Sequence, residues 1–277
     1  IADEPTSSLD ADSREAFLTG RPRTYTRVLG DTRLDQVQNE WGFYGQTDWR
    51  LRSNLTLNFG ARYEFYTPPA DRNRLTPNYG TDWNNIAPRF GFAWTPGSQT
   101  STVVRGGYGI FYAPLAARYV GLTRATPPRV RTVIALNPVL GNLLGGPLVE
   151  SNNLTITDSN LRQPYVQQWN LTVERRLTSR GLVASMGYVG TRGIALPMTR
   201  LPNGGDRLAQ TLRPDPTRGV VTLLETAANS NYHAFQFQLT GNLTNSLTLR
   251  TAYTWSRSID DVSRDSVNII AQNNRAL

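Results

Sequence analysis

The chain of 277 residues carries 29 basic and 21 acidic side chains, a formal net charge of +8, and all the basic ones are arginine. With no cysteine and no lysine, disulfide scaffolds, cysteine-ligated metals, thiol nucleophiles, Schiff-base chemistry and the phosphate-gripping lysine of a P-loop are excluded. The arginines are scattered and not gathered in a tract, which argues against nucleic acid as a partner despite a pI near 10.1, and no apolar run reaches the ~18 residues of a membrane helix.

Residues 1–37 read as an N-terminal segment of short helix and coil, with Asp12 and Glu15 spaced as a capping box. No charged start leads into an apolar h-region, so no signal peptide is expected within this chain. From residue 38 the character changes. Trp41, Phe43, Trp49 and Leu51 fall on one face of a strand, with Tyr44, Gln46, Asp48 and Arg50 on the other. After Arg52-Ser53-Asn54 the alternation resumes: Leu55, Leu57, Phe59, Ala61, Tyr63 and Phe65 oppose Thr56, Asn58, Arg62, Glu64 and Tyr66. Two alternating runs around a tight polar turn predict a hairpin.

The same unit returns three times. Phe90, Phe92 and Trp94 alternate with Arg89, Gly91 and Ala93, turn at PGSQTS, and continue as Val104, Tyr108, Ile110 and Tyr112 against Arg105, Gly107 and Gly109. Tyr165, Gln167, Trp169, Leu171 and Val173 oppose Gln168, Asn170, Thr172 and Glu174, turn at LTSRG, and continue through Leu182, Ala184, Met186 and Tyr188. Phe235, Phe237 and Leu239 oppose Gln236, Gln238 and Thr240, turn near NLTNS, and continue through Leu247, Leu249, Tyr253 and Trp255 against Arg250, Thr254 and Ser256. Hairpins are thus expected near 39–67, 86–113, 164–196 and 232–258, about eight strands in all.

Connections alternate in length. Turns within hairpins are a few residues, whereas the segments between hairpins run about 68–85, 114–163 and 197–231. Long structureless loops are uncommon in compact soluble domains, but outer-membrane barrels sort their connections this way, short at the periplasmic end and long outside. Rings near strand ends (Trp41 and Trp49, Tyr63 with Phe65 and Tyr66, Tyr108 with Tyr112, Tyr253 with Trp255) resemble aromatic girdles. The predicted fold class is all-β, an antiparallel up-and-down transmembrane barrel segment over 38–277. The alternatives are a soluble β-sheet binding or adhesion module and a small complete eight-stranded barrel.

No catalytic set emerges, and neither enzyme activity, a cofactor nor a metal site is expected. His233 is the only histidine and reads as a surface or girdle residue. NLT at Asn54, Asn153, Asn170 and Asn242 marks turns or strand positions more than glycosylation. Arg-Gly-Gly at 105–107 marks a bend in a curved strand, and Asp260 with Asp261 reads as a solvated pair at a strand end. On the polar parity, Arg62, Glu64, Arg89, Arg105, Glu174 and Arg250 are expected to point into the lumen, chiefly as salt bridges along its wall. Ligand contact is expected of the long loops, through Tyr79, Trp83, Arg118, Tyr119, Arg124, Arg129 and Arg131. Rings suit sugars and arginines suit anions, so a small molecule, a sugar or a peptide would fit.

In order along the chain, FYGQTDWRLRSNLTLNFGARYEFY, NNIAPRFGFAWTPG, VVRGGYGIFY, QQWNLTVERRL, GYVGTRG, NYHAFQFQL and LRTAYTWSRSIDD resemble the barrel of TonB-dependent outer-membrane receptors of the Oar-like group, over residues 17–277. The resemblance implies a 22-stranded barrel with a plugged lumen in the outer membrane of a Gram-negative bacterium. It implies import of a ligand driven through the plug by a TonB-type energy-transducing complex. Partners would then be membrane lipid, the plug and that complex. The chain carries no plug, no partner-binding box and no closing strands, as expected of a middle piece of such a barrel. Separately, IADEPTSSLDADSREAFL resembles the Walker B and D-loop segment of an ABC-transporter ATPase, which would give Asp3 to magnesium, Glu4 to the attacking water and Asp10 to the D-loop. Without a GxxxxGK[ST] loop, ATP hydrolysis is not expected, and the resemblance implies a junction of unrelated sequence near residues 15–20.

Overall fold

Among the described residues, fifteen strands and one short 3-10 turn form from this pattern. The computed structural model describes residues 7–10, 18–20, 22–31, 35–71, 79–97, 101–115, 121–127, 129–179, 181–204, 213–244 and 246–262. The strands are β1 (Ser7–Asp10), β2 (Thr24–Gly30), β3 (Gln36–Val37), β4 (Glu40–Arg52), β5 (Leu55–Tyr66), β6 (Ala70–Asp71), β7 (Ile86–Trp94) and β8 (Thr102–Tyr112), then β9 (Val130–Leu136), β10 (Leu148–Ser151), β11 (Leu154–Thr157), β12 (Tyr165–Arg176), β13 (Val183–Arg200), β14 (Val221–Asn242) and β15 (Thr248–Asp260). All eight predicted strands are present as β4, β5, β7, β8, β12, β13, β14 and β15.

Those eight form one antiparallel meander in the order β4-β5-β7-β8-β12-β13-β14-β15, and β11 adds to β14 as a ninth strand in the same sheet. The β11 pairing is parallel, Leu154 opposite Val221; it is the one departure from the up-and-down pattern in this sheet. The RSN turn closes with a register shift between Arg50 and Arg52, and Asn54 Nδ2 donates to the Thr95 carbonyl at 3.0 Å, tying the turn to β7. At the LTSRG turn the Leu177 amide donates to the Leu182 carbonyl at 2.8 Å, and Gly181 sits at φ +88°, which L side chains seldom adopt. Among the described residues, β4 pairs only with β5 and β15 only with β14. A complete eight-stranded barrel would require β4 to pair with β15, so that alternative is corrected: the sheet has two open edges.

The connections differ from the expectation of structureless loops. The segment 114–163 contains a 3-10 turn at Leu122–Ala125 and three strands, β9, β10 and β11. Nor is the N-terminal segment helix and coil throughout: β1 and β2 join β9 and β10 in a four-stranded sheet, because TYTRVLG and VRTVIAL are both rich in the β-branched side chains that fit a pleated surface. Asp12 and Glu15 lie outside the described residues.

The pairing of β13 with β14 also runs into the expected long connection, past 196, the expected end of one hairpin, and before 232, the expected start of the next. Its ladder continues from Gly193–Ser230 to Arg200–Leu223 through register shifts on both sides of Leu196, with Ala195 at φ 55°. Each bulge moves the following side chains to the other face. The period-2 signal is therefore interrupted where the strands go on, and Pro197 falls at the shift, where a missing amide is tolerated.

Candidate functional site

Register assigns the side chains of the large sheet to two faces, because residues directly opposite one another in an antiparallel pair point the same way. One row reads Thr47, Phe59, Phe90, Tyr108, Trp169, Gly190, His233 and Arg257; its neighbour one step along reads Asp48, Asn58, Gly91, Gly107, Asn170, Val189, Ala234 and Ser256. The first belongs to an apolar face whose rings stand uncovered: Trp41, Phe43, Trp49, Phe90, Trp94, Tyr253 and Trp255 are all exposed, Trp255 at 72%. The second belongs to a polar face.

Five of the six residues predicted for the lumen lie on that polar face with a defined partner. Arg62 Nε donates to Glu64 Oε2 at 2.5 Å, two residues along β5 and hence on the same side. Glu64 is only 4% exposed, and the guanidinium supplies the compensation a buried carboxylate needs. Arg105 Nη1 donates to Glu174 Oε2 at 3.0 Å across β8 and β12; this pair is half-exposed and therefore worth little. Arg89 lies over the Phe111 ring, 4.6 Å from guanidinium carbon to centroid. Arg250 is exposed opposite Thr240. Among these groups Gly109 lies beneath the Phe111 ring, and a pocket of about 230 Å³ is lined by Tyr44, Gln46, Gly60, Arg62 and Arg89.

At the end of the sheet that carries the long connections, the polar face passes into a network the sequence did not announce. The Glu64 amide donates to the Asn85 carbonyl at 3.2 Å, Asn85 Nδ2 to the Asp82 carbonyl at 3.0 Å, and the Gln163 amide to Asp82 Oδ2 at 3.1 Å. Asn85 and Gln163 are buried, so the connections before β7 and before β12 are locked to each other. Beyond them Asn203 is a second tie: its Nδ2 donates to the Gly219 carbonyl at 2.8 Å and the Asp215 carbonyl at 3.0 Å, and its Oδ1 accepts from the Asp215 amide at 2.8 Å. Hydrogen bonds from the Thr217 hydroxyl and amide, with Arg218 adding charge, hold the Asp215 carboxylate below its ordinary value.

The loop candidates are divided. Trp83 is 60% exposed, its ring 4.7 Å from Phe65, while its carbonyl accepts from the Tyr63 hydroxyl at 2.9 Å. Phe65 in turn stacks on Trp41 at 6.4 Å, so Trp83 extends the rings of the apolar face. Burial pushes the Tyr79 phenol up to about 12. Arg129 Nε donates to the Asp31 carbonyl at 2.9 Å, and Arg131 faces Glu150 at 3.7 Å across β9 and β10. Arg131 belongs to β9 of the four-stranded sheet and Arg129 immediately precedes that strand. Arg124 lies in the 3-10 turn, and Arg118 and Tyr119 are outside the described residues. Asp261 is engaged as well, accepting from the Asn229 amide at 2.8 Å and Nδ2 at 3.2 Å.

A single layer of strands with an uncovered aromatic face and a charged, hydrogen-bonded opposite face defines a membrane-wall protein. The family model described as an outer membrane beta barrel domain matches residues 2–81 and 75–276, and the chain belongs to that family. Its place is the outer membrane, which leaves no room for the soluble-module alternative. The first match begins at residue 2, within the stretch that resembles the ATPase segment. Similar solved structures include a chain of the FpvAI–pyocin S2 complex, at 12% identity over 87% of this chain and 24% of that one, with a TM-score of 0.45. The outer membrane transporter YddB from Escherichia coli is similar at 13% identity over 87% of this chain and 35% of that one, TM-score 0.47. The siderophore receptor PirA from Pseudomonas aeruginosa is similar at 14% identity over 87% of this chain and 45% of that one, TM-score 0.42. The chain thus spans less than half the length of these structures. A search of curated protein sequences gives no match.

Proposed function

We propose that this chain is a wall section of a TonB-dependent receptor of the Oar-like kind, in a larger barrel that binds a ligand outside the cell and imports it. The observation that carries this is the coincidence of the two faces with the two ends: rings on one face, paired charges on the other, tight turns at one end and long structured connections at the other. In a barrel the ring face meets lipid, and Arg62, Glu64, Arg89, Arg105, Glu174 and Arg250 face the lumen. In the full receptor this lumen would hold the plug that the resemblance implies. The seven resembling strings add the TonB-type complex as partner. No enzymatic role is proposed.

Within this assignment the long connections meet the ligand, with the exposed Trp83 ring and the half-exposed Arg131 beside Glu150 as candidate contacts. A small molecule, a sugar or a peptide fits this chemistry. The deciding experiment is to read the coding sequence on both flanks of these residues. A plug domain upstream and further strands ending in an aromatic residue downstream are expected; a frame that starts and stops around these strands would refute the receptor assignment. Detergent-dependent extraction with heat-modifiable gel mobility tests the barrel itself, and recovery in the aqueous fraction would refute it.

A further inference from the structure

The apolar face is not apolar to its end. On β13, Arg192 follows Met186, Tyr188 and Gly190 on the same parity, and on β15 Arg257 follows Tyr253 and Trp255. Register brings both beside one histidine: Arg257 is directly opposite His233, and Arg192 is opposite Asn231, one step diagonal to it. All three side chains are exposed. Neither arginine has a carboxylate partner among the described residues, while Asp261, four residues beyond Arg257, is engaged by Asn229. Two guanidiniums pointing out of a lipid-facing wall without a counter-ion are unusual, since charge there is costly unless it is met by an anion at the interface.

The rings around them are held in place. Tyr188 Oη and His233 Nδ1 lie 2.8 Å apart, their rings stacked at 19° with centroids 6.2 Å apart. Trp169 tilts over the same histidine at 6.0 Å, and it lies across Gly190, where a Cβ would collide with the indole. When the Tyr188 hydroxyl donates to Nδ1, the ring proton sits on Nε2, free to donate outward. By strand spacing, the Cα atoms of Arg192 and Arg257 are roughly 12 Å apart, close enough for both long side chains to reach one tetrahedral anion. Arg175, on the same face at the short-turn end, shares its row with Thr102, Ala184, Leu239 and Thr251, and no histidine or aromatic ring stands in it.

We infer that Arg192, His233 and Arg257, with Trp169 and Tyr188, form a binding site for the phosphorylated sugar headgroup of a glycolipid in the outer leaflet. Arginine forks take the phosphate, and the exposed Tyr188 ring with the half-buried Trp169 beside it takes the sugar. The site lies at the lipid boundary on the long-connection side of the wall, so it rests on the proposed assignment of faces and ends. It is separate from the lumen and from any transported ligand.

The test uses the full-length protein in phosphatidylcholine nanodiscs doped with a phosphorylated glycolipid or with the same glycolipid stripped of phosphate, with co-purifying lipid read by native mass spectrometry. The wild-type protein should retain the phosphorylated form by roughly tenfold over the stripped one. The double variant R192Q/R257Q, checked for heat-modifiable mobility, should lose that preference, while Arg250→Gln on the opposite face should keep it. Equal retention of the two lipids by wild-type protein whose tryptophan emission is quenched by brominated lipid overturns the site and leaves the facing of the wall intact. Absence of quenching overturns the facing, and the site with it. Displacement of the glycolipid by inorganic phosphate alone would make this a free-anion site and refute the lipid assignment.

Discussion

The membrane wall and the layer of connections beyond it are built from the same chain by opposite means. In the wall, every residue of β4 is exposed, and β15 is exposed throughout except for a half-covered Leu249. In the outer layer, Leu115, Val130, Ala135, Leu224 and Ala228 are buried almost completely, together with Asn85 and Gln163. The outer layer is thus stabilised as water-soluble folds are, by removing apolar side chains from solvent, although Asn85 Oδ1 and Gln163 Oε1 are buried there without a hydrogen-bond partner among the described residues. The wall has nothing to bury its rings against. Its cohesion comes from the continuous strand ladder, and its apolar face is completed by lipid, which makes exposure there a favourable state.

That contrast can be broken from either side, and the largest effect is expected in the outer layer. Leu224→Ala empties a fully enclosed position and should cost about 2–5 kcal/mol in urea unfolding from bilayers. An effect below 1 kcal/mol would mean that this layer is not conventionally packed. Leu57→Arg places a charge amid the rings of the wall and should cost on the order of 2–4 kcal/mol near the bilayer midplane; a neutral outcome would show that this face does not meet lipid. Asn203→Ala leaves two close carbonyls and an amide without their partner and should cost about 1–3 kcal/mol. Faster amide exchange confined to residues 213–220 would register it, and an unchanged exchange pattern would refute the tie.

Two smaller effects sharpen the comparison. Glu174→Gln breaks a half-exposed pair with Arg105 and should move stability by only 0.2–1 kcal/mol or so; a larger loss would show that the lumen face is drier than an open sheet implies. Asp215 supplies a pH signature. Its folded-state value is depressed, so its contribution is complete above the ordinary value of 3.8 and disappears as pH falls through the lower folded value. Exchange of the Gly219 amide, corrected for intrinsic rates, should therefore accelerate below pH 3.8 in the wild type, and Asp215→Asn should remove that step.

How much of this was legible beforehand follows from the same contrast. The wall was readable because period-2 alternation needs only neighbours in sequence: Phe235 to Leu239 show it without interruption, and Trp41 to Leu51 with only Gly45 and Thr47 breaking the apolar parity. The ion pair of Arg62 with Glu64 was readable for the same reason, two residues apart on one strand. That of Arg105 with Glu174 spans 69 residues and depends on register, which the pattern of one strand does not contain. Arg192 and Arg257 carried a signal in their parity, since both follow aromatic positions on the apolar face. The outer layer was not legible: β9, β10 and β11 are short and lie among Gly, Pro and Asn, and Asp82 and Gln163, 81 residues apart, are joined through a backbone amide that no side-chain pattern encodes.

The register shifts around Leu196 let β13 and β14 remain paired for a further turnless stretch, out to Arg200 and Leu223. A connection of residues 197–231 left as coil would have to surrender its conformational freedom each time something bound to it, at about 1–2 kcal/mol for each residue ordered. Here much of that freedom is already gone before any partner arrives. A partner that met Met198–Arg200 or Leu223–Glu225 would therefore meet an ordered ladder, and what it gained in contacts would be kept as affinity.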